Sequence, residues 1–242
     1  MEHEQYSIQE LMAVLIAREI IDGERVSVGT LSPLPAAGAW LALEDHAPNL
    51  ELSVLGSDDS AAISRTDFFD AIQRGRCDLF FLSGAQIDRQ ANINLHVIGD
   101  YSSPQVRLPG GAGSGMIYYM AGRTILFLNR HSARNLVEQV DFITSAGSSL
   151  PGVFRRGYPS ALITPLCTMR YNRKQAELIL ESVHPGTTLG EVKESTGWPL
   201  STEGISVTVS PTTGELALLR SRVRAKMLKL YPEFTEKYIR KT

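Results

Sequence analysis

The stretch Leu79-Phe80-Phe81-Leu82-Ser83-Gly84-Ala85-Gln86-Ile87-Asp88-Arg89-Gln90-Ala91-Asn92-Ile93-Asn94 reads as a buried strand that runs into a polar turn. Leu79 to Leu82 are consecutive apolar residues ended by Ser83-Gly84, as expected of a strand covered on both faces. Beyond them Gln86, Asp88, Asn92 and Asn94 fall on a two-residue spacing or a multiple of it, so a short polar ladder leaves the strand's carboxyl end. In open α/β sheets that end is where ligands sit. Two roles fit the ladder: its amides and carboxylate either tie a long turn together through side-chain to backbone bonds, or touch a ligand directly.

Upstream of this strand the chain alternates helix and strand. Ser7-Ile8-Gln9-Glu10 matches a capping box, and Leu11, Val14, Leu15 and Ile21 follow at helical spacing, so a helix is predicted from about 8 to 22, ending at Gly23. Arg25 to Val28 is a short strand, and the loop at its carboxyl end carries Thr30 and Ser32 as candidates to line a site. Pro35 suits the first turn of a second helix over 36–45; Ala47-Pro48-Asn49 breaks it, and residues 50–55 alternate as a strand. Together these form a β-α-β unit, predicted to be right-handed and parallel. Gly56 to Ser60, with Asp58 and Asp59, leaves that strand's carboxyl end, and Thr66 is a candidate N-cap for a helix to Arg74.

Downstream, Pro109 to Gly115 is a glycine cluster that precedes a short predicted helix over 116–121. Glycine turns of this kind let backbone N–H groups approach an anion, because no side chain stands in the way. The cluster lacks the lysine of a phosphate-loop nucleotide site and does not follow the dinucleotide-binding pattern, so a structural turn accounts for it equally well. Residues 124–128 and 136–144 read as strands, 145–159 as a surface loop, and 160–164 with 167–171 as a hairpin about Pro165. Thr188 with Glu191 makes another capping box, and 214–230 is the last helix, with basic residues on its polar faces. Residues 116–128 carry few charges, which makes them the candidate face for a partner. The fold class is therefore α/β, an open and mainly parallel sheet with flanking helices.

Composition narrows the functional classes. The chain has 242 residues, of which 43% are hydrophobic and 21% charged, with a formal net charge of -2. That balance suits an ordinary globular protein with no whole-chain attraction to nucleic acid or to an anionic membrane. Cys77 and Cys167 stand in no metal-ligand or Cys-x-x-Cys spacing, the histidines are too scattered for a metal set, and no apolar run approaches the roughly 20 residues that cross a bilayer. The expectation is a cytoplasmic protein in a reducing compartment, without metal or nucleic acid.

Several motifs, in one order, carry a resemblance. They are Gly84-Ala85-Gln86-Ile87-Asp88, Asn92-Ile93-Asn94, Ile98-Gly99-Asp100-Tyr101, Arg107 to Gly113, Val140-Asp141-Phe142-Ile143-Thr144 and Pro185-Gly186-Thr187-Thr188. So ordered, the chain resembles the β subunit of class I CoA-transferases, of the glutaconate CoA-transferase kind, from the first helix through Thr196-Gly197-Trp198. The resemblance implies one domain of this type (NagB/RpiA-like) over 1–242, an α-type partner subunit, an active site shared by the two chains, and an acyl-CoA substrate. Coenzyme A would enter as part of that substrate, with no permanently bound cofactor.

In the transferases a glutamate after the strand that follows Ala-Pro-Asn/Asp attacks the thioester. Counting from Ala47-Pro48-Asn49, that position here is Leu55, which has no nucleophile. Glu51 shares its strand parity but lies about 13 Å back along the strand, and Asp58 and Asp59 are the remaining candidate carboxylates nearby. The resemblance also extends to a steroid ring-cleaving hydrolase, whose β subunit lacks the glutamate too, and to a decarboxylase. It thus implies hydrolysis, carbon–carbon cleavage or decarboxylation of an acyl-CoA. In that reading Gly110, Gly111, Ala112 and Gly113 donate to the thioester oxygen or an enolate, Gln86 and Asp88 shape the site, and the acid or base comes largely from the partner. An active CoA-transferase and a noncatalytic acyl-CoA-binding subunit are the alternatives.

Overall fold

The computed structural model describes residues 6–57 and 65–241, and the chain divides into two compact units. The first comprises Met1–Ala71, Arg76–Phe81 and Val209–Thr242; the second comprises Ile72–Gly75 and Leu82–Thr208.

In the first unit, α1 (Ile8–Arg18) is started by the capping box that the sequence predicts, with Ser7 and Glu10 satisfying each other's backbone N–H groups. It ends several residues before Gly23, which takes a left-handed turn at φ +79°. Strand β1 (Arg25–Val28) is followed by α2 (Pro33–Asp45) and by β2 (Glu51–Val54), parallel to β1 with Val28 opposite Val54. The helices α1 and α2 pack closely because Gly38 has no side chain: a Cβ there would collide with Ile16 and come within 2.9 Å of the Ala13 carbonyl. Next comes α3 (Arg65–Gln73), so Thr66 lies inside the helix and is not its N-cap. It leads to β3 (Leu79–Leu82), buried at every position and parallel to β1, as the opening stretch requires.

The second unit begins with two small hairpins. Strands β4 (Gln86–Ile87) and β5 (Ile93–Asn94) pair across the polar turn, and β6 (Val97–Ile98) pairs with β7 (Val106–Arg107). Helix α4 (Ser114–Met120) follows the glycine loop and leads into β8 (Arg123–Phe127). Then β9 (Pro159–Ile163), β10 (Cys167–Asn172) and β11 (Glu177–Val183) run on from β8, and α5 (Leu189–Glu194) opens with the Thr188 and Glu191 capping box. The last strand is β12 (Ser206–Val207).

Apart from the two small hairpins, the strand pairs within the units are parallel at β1–β2, β1–β3, β8–β9 and β11–β12 and antiparallel at β9–β10 and β10–β11, so the main sheet is mixed and mostly parallel. Two expectations fail here. Residues 136–144 form no strand; in place of a ladder there are single bridges, Ile87 with Leu136 and Ile93 with Ser145. Residues 116–128 do not make an apolar outer face either, since Ile117, Tyr118, Ile125 and Leu126 are buried within the unit. The exposed apolar side chains of this unit include Leu150, Val153 and Phe154, on the loop before β9.

The chain then returns to the first unit as α6 (Thr213–Leu218), a π-helical turn over 219–223, α7 (Arg224–Leu230) and α8 (Pro232–Tyr238). Four of its basic residues are paired: Arg220 with the fully buried Glu10 at 2.9 Å, Arg222 and Lys226 with Glu44, and Arg224 with Glu236. Arg18 closes the same seam on Glu215 at 2.7 Å. No helix among the described residues is long and apolar enough to cross a membrane.

Candidate functional site

The polar ladder turns inward. Gln86 Oε1 accepts from Asn94 Nδ2 at 2.7 Å and from the Asp141 N–H at 3.0 Å, while its Nε2 donates to Asp141 Oδ2 at 3.0 Å. Asp88 accepts the Asn92 N–H at 2.9 Å and the Asn92 amide at 3.0 Å, closing a tight turn in which Ala91 takes φ +62°. Burial raises the Asp88 carboxyl above its ordinary range, and these hydrogen bonds, from Asn92 and from the Val140 N–H, only partly offset that. Gln86, Asp88 and Asn94 are all buried, so their polar atoms are spent on the turn and on the segment after Leu136. This explains why that segment needs no strand: its N–H groups at Val140 and Asp141 find side-chain acceptors.

The glycine loop sits differently. Gly110, Ala112 and Gly113 have φ of +96°, +45° and +88°, a run that glycine adopts freely and alanine only at a cost. Gly110 donates its N–H to the Leu95 carbonyl and Gly111 accepts the Ser114 N–H, which pins both ends of the turn. Among the described residues the N–H groups of Gly111, Ala112 and Gly113 donate to no backbone carbonyl, and Ala112 and Gly113 are exposed. Unspent donors on a fixed turn can meet a developing oxyanion without reorganisation.

A histidine to which the sequence assigns no role stands beside this loop. A Cβ on Gly110 would lie 3.8 Å from His96 Nε2, and one on Gly111 would lie 3.8 Å from His96 Cε1 and 2.8 Å from the Thr144 methyl. His96 Nδ1 is bonded to Thr144 Oγ1 at 2.7 Å. The ring rests against Phe142 (4.8 Å), which stacks on Tyr101 (5.2 Å), and the Arg107 guanidinium caps that ring at 5.0 Å. The one sequence signal for His96 is its place two residues after Asn94, in the motif run itself.

In the first unit Leu55 and the Thr30–Ser32 loop lie together at the carboxyl ends of β1 and β2. The Leu55 N–H donates to the Val28 carbonyl at 3.0 Å, Leu31 is exposed with φ +56°, and Ser32 is bonded to the Thr30 carbonyl at 3.3 Å. A cavity of about 630 Å3 opens towards the other ends of the same strands, lined by Arg25, Ser27, Glu51, Ser53, Phe68 and Arg76, away from Leu55. No group of three His, Cys, Asp or Glu side chains suited to a metal occurs among the described residues.

The sequence profile of the family described as Coenzyme A transferase matches residues 49–195, which spans the ladder, the glycine loop and Leu55. This chain belongs to the coenzyme A transferase family. It is 35% identical to the B subunit of 3-oxoadipate CoA-transferase from Pseudomonas knackmussii, over 89% of this chain and 93% of that one. It is 24% identical to the cholesterol ring-cleaving hydrolase IpdB subunit of Mycobacterium tuberculosis, over 91% and 96%. Among solved structures, the decarboxylase AibA/AibB superposes with a TM-score of 0.76 at 26% identity, over 97% of this chain and 99% of that one. As a member of the coenzyme A transferase family, the chain is of the B-subunit type.

Glu51 is exposed at the first position of β2, at the opposite end of the strand from Leu55, and Asp58 and Asp59 lie outside the described residues. Asp141, the carboxylate of the ladder's neighbourhood besides Asp88, is engaged by Gln86 and by the Gly99 N–H at 2.9 Å.

Proposed function

We propose that this chain is the B-type half of a two-chain enzyme, paired with an A-type CoA-transferase subunit. The enzyme would bind an acyl-CoA and change its acyl part by hydrolysis, carbon–carbon cleavage or decarboxylation. One observation carries the reading: the position after β2 is Leu55, half-buried and held to β1 by its backbone, where the family resemblance implies a glutamate. A hydrocarbon side chain cannot form the mixed anhydride on which CoA transfer depends. The free N–H groups of Gly111, Ala112 and Gly113, with Gly110 shaping the turn, supply stabilisation for negative charge at the thioester oxygen or on an enolate. Thr30 and Ser32, on the loop after β1, are the candidates to line the acyl side, and Gln86 and Asp88 hold the polar ladder within the second unit. The acid or base comes from the A-type partner, and CoA arrives as part of the substrate rather than as a resident cofactor. Cys77 and Cys167 are buried thiols outside any disulfide, which suits the reducing cytoplasm as its compartment.

A second reading, an active CoA-transferase, is favoured by the 35% identity to a transferase chain. It requires a carboxylate from Asp58, Asp59 or the partner. The test is to assemble the two-chain complex and incubate it with a panel of acyl-CoA thioesters, 3-oxoadipyl-CoA included, in the presence of a free acid acceptor. The expected result is a cleaved, hydrolysed or decarboxylated acyl group with no CoA on the acceptor acid. Transfer to the acceptor would establish the second reading instead.

A further inference from the structure

The geometry points to His96 as a hydrogen-bond donor to the bound thioester: its Nε2–H joins the glycine-loop N–H groups at the substrate's carbonyl oxygen. This rests on the reading of the glycine loop as the acyl-CoA site. Three observations within the second unit lead to it. First, Thr144 Oγ1 already accepts the Leu95 N–H at 2.8 Å, so its own hydrogen is available for His96 Nδ1, 2.7 Å away. An imidazole that accepts at Nδ1 carries its proton on Nε2. Second, Nε2 has no hydrogen-bond partner among the described residues, although the ring is only partly exposed and Nε2 lies against the loop, 3.8 Å from where a Gly110 Cβ would stand. A donor that no protein group takes up, standing beside other unspent donors, is available to a ligand.

Third, the ring is held rather than merely placed. Phe142 lies against it, Tyr101 stacks behind Phe142, Arg107 covers Tyr101, and the Arg107 guanidinium also donates to the Tyr101 carbonyl at 3.2 Å. Phe142 and Arg107 both lie against the Tyr101 ring, so the stack serves as a brace for the histidine. The Thr144 methyl lies under Gly111 while the Thr144 hydroxyl bonds His96 Nδ1, so one residue contacts both the loop and the ring beside it. An imidazole so held can donate from Nε2 to a carbonyl oxygen as charge grows there.

The test labels the histidines of this chain with 15N, assembles it with its unlabelled A-type partner, and assigns His96 by comparison with His96→Gln. The 15N shifts should report the Nε2–H tautomer in the unliganded complex. Acetyl-CoA should move the Nε2 resonance where free CoA does not, since only the thioester brings the carbonyl. By calorimetry, the preference for acetyl-CoA over CoA should fall about tenfold in His96→Ala and much less in His96→Gln, whose amide nitrogen can take the place of Nε2. An Nδ1–H tautomer, or acetyl-CoA that binds without moving His96, overturns the inference and leaves the glycine-loop reading standing. Acetyl-CoA that does not bind at all removes the loop reading and this inference with it.

Discussion

At the scale of single residues the glycine loop is a matter of sterics, and Gly111 is its tightest point. Its φ is ordinary, so what excludes a side chain is the Thr144 methyl at 2.8 Å and Ser114 Oγ at 3.0 Å from a Cβ. Gly111→Ala should therefore destabilise the protein by about 1–3 kcal/mol through overpacking. Adding Thr144→Ser removes the obstructing methyl while keeping the hydroxyl that bonds Leu95 and His96, so the double variant should recover much of that loss in a denaturant titration. With the fold so restored, acetyl-CoA affinity of the assembled complex should remain reduced, because the new methyl stands on the loop that offers the N–H groups; unchanged affinity would return the loop to a purely structural role. The loop itself is legible in the sequence because glycine marks backbone that side chains cannot adopt. His96 is not, since a single histidine says nothing of a threonine 48 residues away until the fold brings them together.

At the scale of elements, local chemistry is the readable part. The capping boxes at Ser7 and Thr188 are visible as spacing, and each forms with both of its bonds. Ser7→Ala should cost roughly 1 kcal/mol from the cap, with a further loss because Ser7 Oγ also donates to the Tyr238 carbonyl at 2.7 Å and so ties α8 to the start of α1. Gly38→Ala should cost more. Its Cβ would strike Ile16 and the Ala13 carbonyl across the α1–α2 contact, and a loss of about 1–3 kcal/mol is expected for overpacking of that kind. A thermal melt in which Gly38→Ala matched wild type would mean that the two helices separate at no cost.

The segment 136–144 shows where such patterns mislead. It has buried apolar residues, Leu136 and Val140, but Asp88 and Gln86 satisfy its N–H groups, and periodicity cannot show that a side chain will replace a ladder. By contrast β11 does carry a strand signal, although none of the motifs draws attention to it: Leu178 and Leu180 are buried between half-buried Glu177 and Ile179 and exposed Glu181.

At the scale of the whole molecule, the sequence order hides which parts belong together. Residues 209–242 join the first unit through Arg18–Glu215 and Arg220–Glu10, contacts spanning about two hundred positions that no local pattern encodes. The second unit has a buried polar seam of its own: His131 bridges Thr164 (2.8 Å) and Thr196 (3.0 Å), and His184 bridges Thr208 and the Thr164 carbonyl, both at 2.8 Å. Burial, as the main cause, lowers both histidines from an ordinary 6.5 to about 4. A histidine depressed on folding contributes its stability while neutral, so the contribution is complete above the unfolded value and is lost as pH falls from about 6.5 towards 4. Unfolding midpoints should thus hold steady above neutrality and fall through that window, and His184→Gln should flatten the fall; a flat profile in the wild type would contradict the burial of both rings.

If this coenzyme A transferase family member works without a covalent carboxylate on its own chain, intact-mass spectrometry will show it. The assembled two-chain complex is incubated with acyl-CoA, quenched, and each chain is weighed. This chain is expected at its unmodified mass. A CoA-sized increment on it, mapped to Asp58 or Asp59, would contradict the claim and make the protein a transferase.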